Sequence, residues 1–186
     1  MHIKKLASCV AIAALSTGCS MMAPQYSASI ENVQTLKNSG ETQVSVGQFA
    51  FTPGPGNTSP ITIRAASMNS PYGNSYGAFL AAAIQQELTL ANRYTPTGNL
   101  EVSGVLLKND IDAAGFSVGY VTVEARFVVK RNGATTYDKV KSVKQEFPSS
   151  FAGAVAIPKA VQEYNVAVQK LLGLVYEDKA FADAIK

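Results

Sequence analysis

Between Tyr120 and Val129 apolar and polar side chains alternate: Val121, Val123, Ala125, Phe127 and Val129 on one side, Tyr120, Thr122, Glu124 and Arg126 on the other. A period of two is the signature of a strand with one buried and one wet face, and here it spans about Phe116 to Lys130. Asn132-Gly133 comes next. That dipeptide accepts positive φ at both positions, so residues 134–147 are expected to fold back as the antiparallel arm of a hairpin. Upstream, Val44, Val46 and Gln48 alternating with Ser45, Gly47 and Phe49 mark a first strand. Leu100, Val102, Val105 and Leu107 mark a second, beginning near Asn99, and Asn109 to Ala114 reads as the turn after it.

Elsewhere the period changes. Tyr76, Phe79, Leu80, Ala83, Ile84, Leu88 and Ala91 recur at three and four residues, which predicts a helix capped by Asn74 or Ser75 and running to about Arg93. Gln85, Gln86 and Arg93 fall on its polar side. After a loop from Pro148 to Gly153, Pro158 suits a first helical turn, and Val161, Tyr164, Val168, Leu171, Leu172 and Val175 form the stripe of a second helix. Glu177 and Asp178 open a short terminal helix with Phe181 and Ile185 inward. From Thr52 to Pro60 nearly every position is a turn residue, and only Ile61-Thr62-Ile63 interrupts an irregular stretch reaching Asn74. A loop of that length is either mobile or used for contact. The order strand, helix, three strands, helix, short helix predicts an α+β two-layer sandwich: a mainly antiparallel four-stranded sheet with two helices packed on one face.

The N-terminal residues have a different character. His2, Lys4 and Lys5 form a cationic start, Leu6 to Leu15 an apolar segment too short to span a bilayer, and Ser16, Thr17 and Gly18 a run of small residues before Cys19. Leu15-Ser16-Thr17-Gly18-Cys19 resembles the lipobox of bacterial lipoproteins. The resemblance implies that residues 1–18 are a cleaved signal peptide and that the Cys19 thiol carries the lipid, with further acylation such as palmitate on the new N-terminus. Ser20, where an aspartate would favour the inner membrane, implies the outer membrane. Residues 19–40 are polar and weakly patterned and read as the lipidated N-terminus and tether, with Tyr26 to Val33 docking on the body. Residues 41–186 are then a single globular periplasmic domain.

Composition narrows the chemistry. The formal net charge of +3 rests largely on the signal: once Lys4 and Lys5 are removed from the 16 basic side chains, they nearly balance the 13 acidic ones. With no basic cluster there is no electrostatic footprint for nucleic acid. Cys9 leaves with the signal, so the body is expected to hold no disulfide. His2, the only histidine, leaves too, which removes triad catalysis, histidine bases and common zinc sites. No enzyme chemistry, cofactor or metal is expected.

The remaining clusters are weak. Gly54-Pro55-Gly56 lacks the donors and the following lysine of a phosphate loop. Asp110 and Asp112 with Glu101 read as solvated turn carboxylates rather than a calcium site. Lys139, Lys141 and Lys144 on the returning strand either touch anionic lipid or peptidoglycan, or block strand addition at an edge. Tyr72, Gly73 and Tyr76 at the loop-to-helix junction, with Pro53 and Pro55 in the loop before it, are the candidate partner contact. The alternative is that Tyr76 packs into the core and Tyr72 closes the loop.

The lipobox, the β-α-β-β-β-α order, the helix over Phe79 to Leu90, the Asn132-Gly133 hairpin and the closing Tyr164-Asn165, Leu171-Leu172, Asp178 and Phe181 together resemble the YajG-like small outer-membrane lipoproteins of Gram-negative bacteria. They also resemble the auxiliary lipoproteins of ABC-type envelope transport. The long loop over Thr52 to Asn74 departs from that compact pattern. The resemblance implies a periplasm-facing accessory or structural subunit of an envelope assembly, held to the outer membrane by its lipid, with an envelope protein or a second copy as partner. The alternative is a lipoprotein that holds a small apolar or lipid ligand between sheet and helices, with Ala81, Ala82 and Ala83 as a thin wall.

Overall fold

The computed structural model describes residues 19–186; the signal expected over 1–18 lies outside them. In chain order the elements are β1 (Ser20–Met22), α1 (Ile30–Asn38), β2 (Ser45–Phe51), β3 (Ile61–Ile63), β4 (Ala66–Asn69) and α2 (Tyr76–Leu90). They continue with β5 (Leu100–Asp112), β6 (Val118–Arg131), β7 (Ala134–Pro148), α3 (Gly153–Tyr176) and α4 (Lys179–Ala184). The fold is mixed α+β with two sheets.

The larger sheet has the order β2-β5-β6-β7, with β5, β6 and β7 antiparallel and β2 parallel to β5. The parallel pair is a consequence of α2, because a helix between two neighbouring strands returns the chain to the end where it began. On β6 the predicted alternation holds: Val121, Val123, Ala125, Phe127 and Val129 are all buried, and α2 and α3 cover the apolar face of the sheet. α2 lies so close to β2 that a Cβ at Gly77 would collide with the Phe49 carbonyl. Only glycine fits there. A bulge between Val46 and Phe49 shifts the face of β2, so Val44 and Phe49 both point into the core although a strict alternation would separate them.

Four features depart from the sequence pattern. A second, three-stranded sheet, β1-β4-β3, occupies part of the stretch expected to be irregular, and Ile61, Ile63 and Met68 in it are fully buried. Its strands are three or four residues long, too short to display a period. β5 runs through to Asp112 where a turn was expected, because buried Asn109 is tied on both sides: its N–H donates to the Gly56 carbonyl, and its Oδ1 accepts from the Tyr164 hydroxyl. α3 begins at Gly153, ahead of Pro158, which therefore sits inside the helix and leaves one carbonyl of the first turns without its N–H partner. Finally, residues 20–38, expected as spacer, form β1 and α1, with Ala23, Tyr26 and Leu36 in the common core. The expected docking of Tyr26 to Val33 is part of that larger attachment.

At the β6–β7 hairpin Asn132 and Gly133 have φ of 52° and 81°, and Arg131 pairs with Ala134 across the turn. A Cβ at Gly133 would meet no atom within 4 Å, so the cost of a larger residue there lies in the backbone alone. Gly133→Val is therefore expected to destabilise the protein by about 1–3 kcal/mol, read as a lower midpoint in urea unfolding with unchanged slope. An unchanged midpoint would show that the turn tolerates a β-branched residue at positive φ.

Candidate lipid-attachment site

Cys19 is an exposed free thiol at the head of β1. Its carbonyl accepts the Ser67 N–H at 2.9 Å, so the β1–β4 ladder begins at the cysteine itself. Ser20 lies opposite Ser67 and Met22 opposite Asn69, Asn69 Nδ2 donates to Ser20 Oγ at 2.9 Å, and the Ala23 N–H donates to the Asn69 carbonyl at 2.8 Å. A thiol in this position is open to alkylation, while the backbone behind it is fixed.

The segment after β1 is fastened by a buried carboxylate. Glu87 on α2 is fully buried, and its Oε1 accepts from the Tyr26 hydroxyl at 2.7 Å, the Ser29 N–H at 3.0 Å and Asn32 Nδ2 at 3.1 Å. The same Asn32 Nδ2 donates to the Gln169 carbonyl of α3 at 2.9 Å, joining α1, α2 and α3 at one point. Burial raises the Glu87 pKa above the ordinary carboxylate value; hydrogen bonds from Tyr26, Ser29 and Asn32 oppose the shift without cancelling it. The Tyr26 phenol is pushed far up, first by burial and then by the neighbouring carboxylate. Tyr176 on α3 is buried beside this group, its hydroxyl without a hydrogen-bond partner of good geometry.

Arg93 fastens the far end of the same segment. Expected on a polar helix face, it lies just beyond α2 and is 1 % exposed. Its guanidinium donates to the carbonyls of Leu36, Thr42 and Ile185 and to Ser39 Oγ, holding α1, the approach to β2 and the C-terminal residues together. Burial lowers its pKa.

The predicted partner-contact residues do not form one surface. Tyr76 is fully buried, its hydroxyl donating to the Met68 carbonyl at 2.7 Å and its ring edge-on to Tyr164, so no partner can reach it. Tyr72 is half-buried, packs edge-on against Phe79, and accepts the Tyr26 N–H on its hydroxyl at 3.3 Å. Gly73 is exposed at φ 61°, with no atom within 4 Å of the position a Cβ would take. Pro53 and Pro55 are exposed, but the turn beneath them is structural: Asn57 is buried and its Nδ2 donates to the Thr52 and Leu106 carbonyls at 2.8 and 2.9 Å.

Lys139 and Lys141 both reach Asp178, the cap of α4, and their hydrogen bonds help hold its pKa well below the ordinary carboxylate range. Lys144 lies 4.0 Å over the Tyr120 ring. Glu101 sits at the opposite end of β5 from Asp110 and Asp112. On α2, Ala81 and Ala82 are half-buried, while Ala83 is fully buried within the continuous core between helix and sheet.

The pattern reading passed over Glu87, although a signal was present. It falls three residues after Ile84, four after Ala83 and seven after Leu80, on the apolar stripe itself. A charged residue there must find partners inside the protein.

No family model matches the chain, and no curated protein matches it. Among solved structures it is similar to a DUF330 protein from Xanthomonas campestris, with TM-score 0.56 and 11% identity over 88% of this chain and 95% of that one. At that identity the likeness is one of fold. It is also similar, at TM-score 0.48 and 14% identity over 83% of this chain and 97% of that one, to a protein from Caulobacter crescentus classed provisionally as a lipoprotein. A third similar structure, the PelC dodecamer from Paraburkholderia phytofirmans, has TM-score 0.39 and 14% identity over 81% of this chain and 90% of that one.

The raised pKa of Glu87 gives a signed pH dependence. Because the native state holds the proton more tightly than the unfolded chain, this residue's contribution is fully present below the unfolded value near 4.5 and is lost as pH rises through the folded value. Glu87→Gln removes that titration. Urea midpoints of the wild type are expected to lose ground as pH rises from 4.5 toward neutrality, and those of the variant to change less over the same range. Parallel curves would show that Glu87 does not titrate there.

Proposed function

We propose that this chain is a non-enzymatic lipoprotein, anchored through Cys19 in the outer membrane and facing the periplasm, whose body serves as an accessory or structural subunit of an envelope assembly. One observation carries it: the lipobox-like Leu15-Ser16-Thr17-Gly18-Cys19 ends on an exposed thiol whose backbone is hydrogen-bonded to β4. No helix among the described residues is long and apolar enough to cross a membrane, which fits attachment by lipid. The only histidine precedes Cys19, so the proposed mature chain has neither a histidine nor a second cysteine for general-base or thiol chemistry. Ser20 after the cysteine favours the outer membrane. The YajG-like or transport-auxiliary assignment is the finer part of the same proposal.

Two or more acyl chains are needed for stable residence in a bilayer, and here Cys19 supplies the point of attachment. Cys19→Ser is expected to abolish incorporation of labelled palmitate and to move the protein out of the outer-membrane fraction. Undiminished incorporation would sink the lipoprotein proposal. A second copy and an envelope protein are the partners to be sought, by crosslinking in intact cells and native mass spectrometry.

A further inference from the structure

We propose that Phe116 and Phe151 form a membrane-contact patch beside Cys19, dipping into the same bilayer that holds the lipid. It rests on the lipoprotein assignment above.

The topology brings these residues to one end of the molecule. Ser20 pairs with Ser67 in the parallel register of β1 and β4, so Cys19 stands beside Ala66, the first residue of β4. Ala66 pairs with Ile63 across the Arg64-Ala65 turn that closes β3 and β4. Arg64, at φ 54°, sends its guanidinium from that turn into two loops: Nε donates to the Ala113 carbonyl at 2.7 Å, and the terminal nitrogens to the carbonyls of Phe151 at 2.8 Å, Ser150 and Gly115. Both loops are thus tied to the turn adjoining the cysteine.

Each loop presents a phenylalanine to solvent. Phe116 is 74 % exposed and Phe151 79 % exposed, and their rings stack at 5.5 Å between centroids with 12° between planes. Val155, at the start of α3, is 61 % exposed. Residues 113–123 and 147–158 contain no charged side chain. Two large rings held in water against each other stabilise the monomer little, and such a patch marks a contact surface.

Three features favour a bilayer as the occupant. The acyl chains on Cys19 hold this end at the membrane. The guanidinium of Arg64 and the Ser149 N–H, which donates to the Ser117 carbonyl, satisfy backbone carbonyls in both loops that would otherwise resist leaving water. And because β1 starts at the residue after the cysteine, whose own carbonyl accepts the Ser67 N–H, no flexible spacer separates lipid from body, so the patch stays within reach of the headgroups.

The chain contains no tryptophan, so Phe116→Trp gives a single reporter. The lipidated full-length protein carrying this change is placed in phosphatidylethanolamine–phosphatidylglycerol vesicles, with and without brominated acyl chains. Emission is expected to shift to the blue and to be quenched by about half in brominated lipid, as for a side chain seated at the headgroup–acyl boundary. A Thr135→Trp control, beside the hairpin turn roughly 40 Å away along β6, is expected to show neither change. Unquenched emission at position 116 in membrane-bound protein that incorporates palmitate normally overturns the patch and leaves the lipoprotein assignment standing. If no palmitate is incorporated, that assignment fails, and the Cys19→Ser, Phe116→Trp protein added to the same vesicles decides: quenching supports the patch and its absence overturns it. A blue shift that grows with protein concentration, without quenching by lipid, assigns the rings to a contact between copies and overturns the proposal.

Discussion

A charged group moved out of water must recover its hydrogen bonds from the protein, and the architecture around α2 is arranged to meet that demand twice. Glu87 accepts from a tyrosine, a backbone N–H and an asparagine side chain, all on residues 26–32. Arg93 donates to three carbonyls and a serine hydroxyl drawn from the end of α1, the approach to β2 and the C-terminus. Neither set of partners lies on α2. The helix therefore satisfies its charges only when the N-terminal segment is wrapped across it, and removing one partner would leave a buried charge uncompensated.

That wrapping changes what the N-terminus can do. A spacer would let the body diffuse on a leash below the membrane, its orientation averaged. Here β1 is laddered onto β4 from Cys19 onward and α1 is pinned to both long helices, so a lipid on Cys19 would fix one end of the body toward the bilayer. The Arg64 turn, the stacked phenylalanines and the uncharged loops share that end. The opposite end carries the β6–β7 hairpin, whose charged side chains engage one another and α4: Arg126 with Asp138, and Lys139 and Lys141 with Asp178.

The mechanical frame is the long antiparallel meander β5-β6-β7 with two helices on its apolar face. β2 joins as a parallel edge through α2, and the close approach at Gly77 permits that helix to lie directly on the strand. The small sheet then closes the region beside β5, burying Ile61, Ile63 and Met68. Its presence makes the proline-rich turn at 53–57 part of the structure, with buried Asn57 bridging it to β5. Exposure of Pro53 and Pro55 thus says little about freedom to move.

The sequence alone determined whatever depends on neighbours along the chain. The strict alternation on β6, the two positive φ values at Asn132-Gly133, the Ser75 cap and stripe of α2, and the Asp178 cap of α4 are local in cause, and each was legible. The pattern Leu15-Ser16-Thr17-Gly18-Cys19 is local in the same sense, and its reading as a lipobox is the proposal made above. Tertiary structure decided the rest. Strands of three or four residues carry no period, so β1, β3 and β4 exist only because a pairing partner is in place; the bulges in β2 and β5 break alternation where packing demands it; and Tyr76, on the apolar stripe by its spacing yet also a candidate contact at the loop junction, is held in the core by the β4 carbonyl of Met68 accepting its hydroxyl. Glu87 and Arg93 show the limit most sharply. Helical spacing places a charge on a stripe or off it, but whether that charge faces water or a ring of hydrogen-bonding partners depends on distant chain segments, and no local pattern encodes the energy of meeting them.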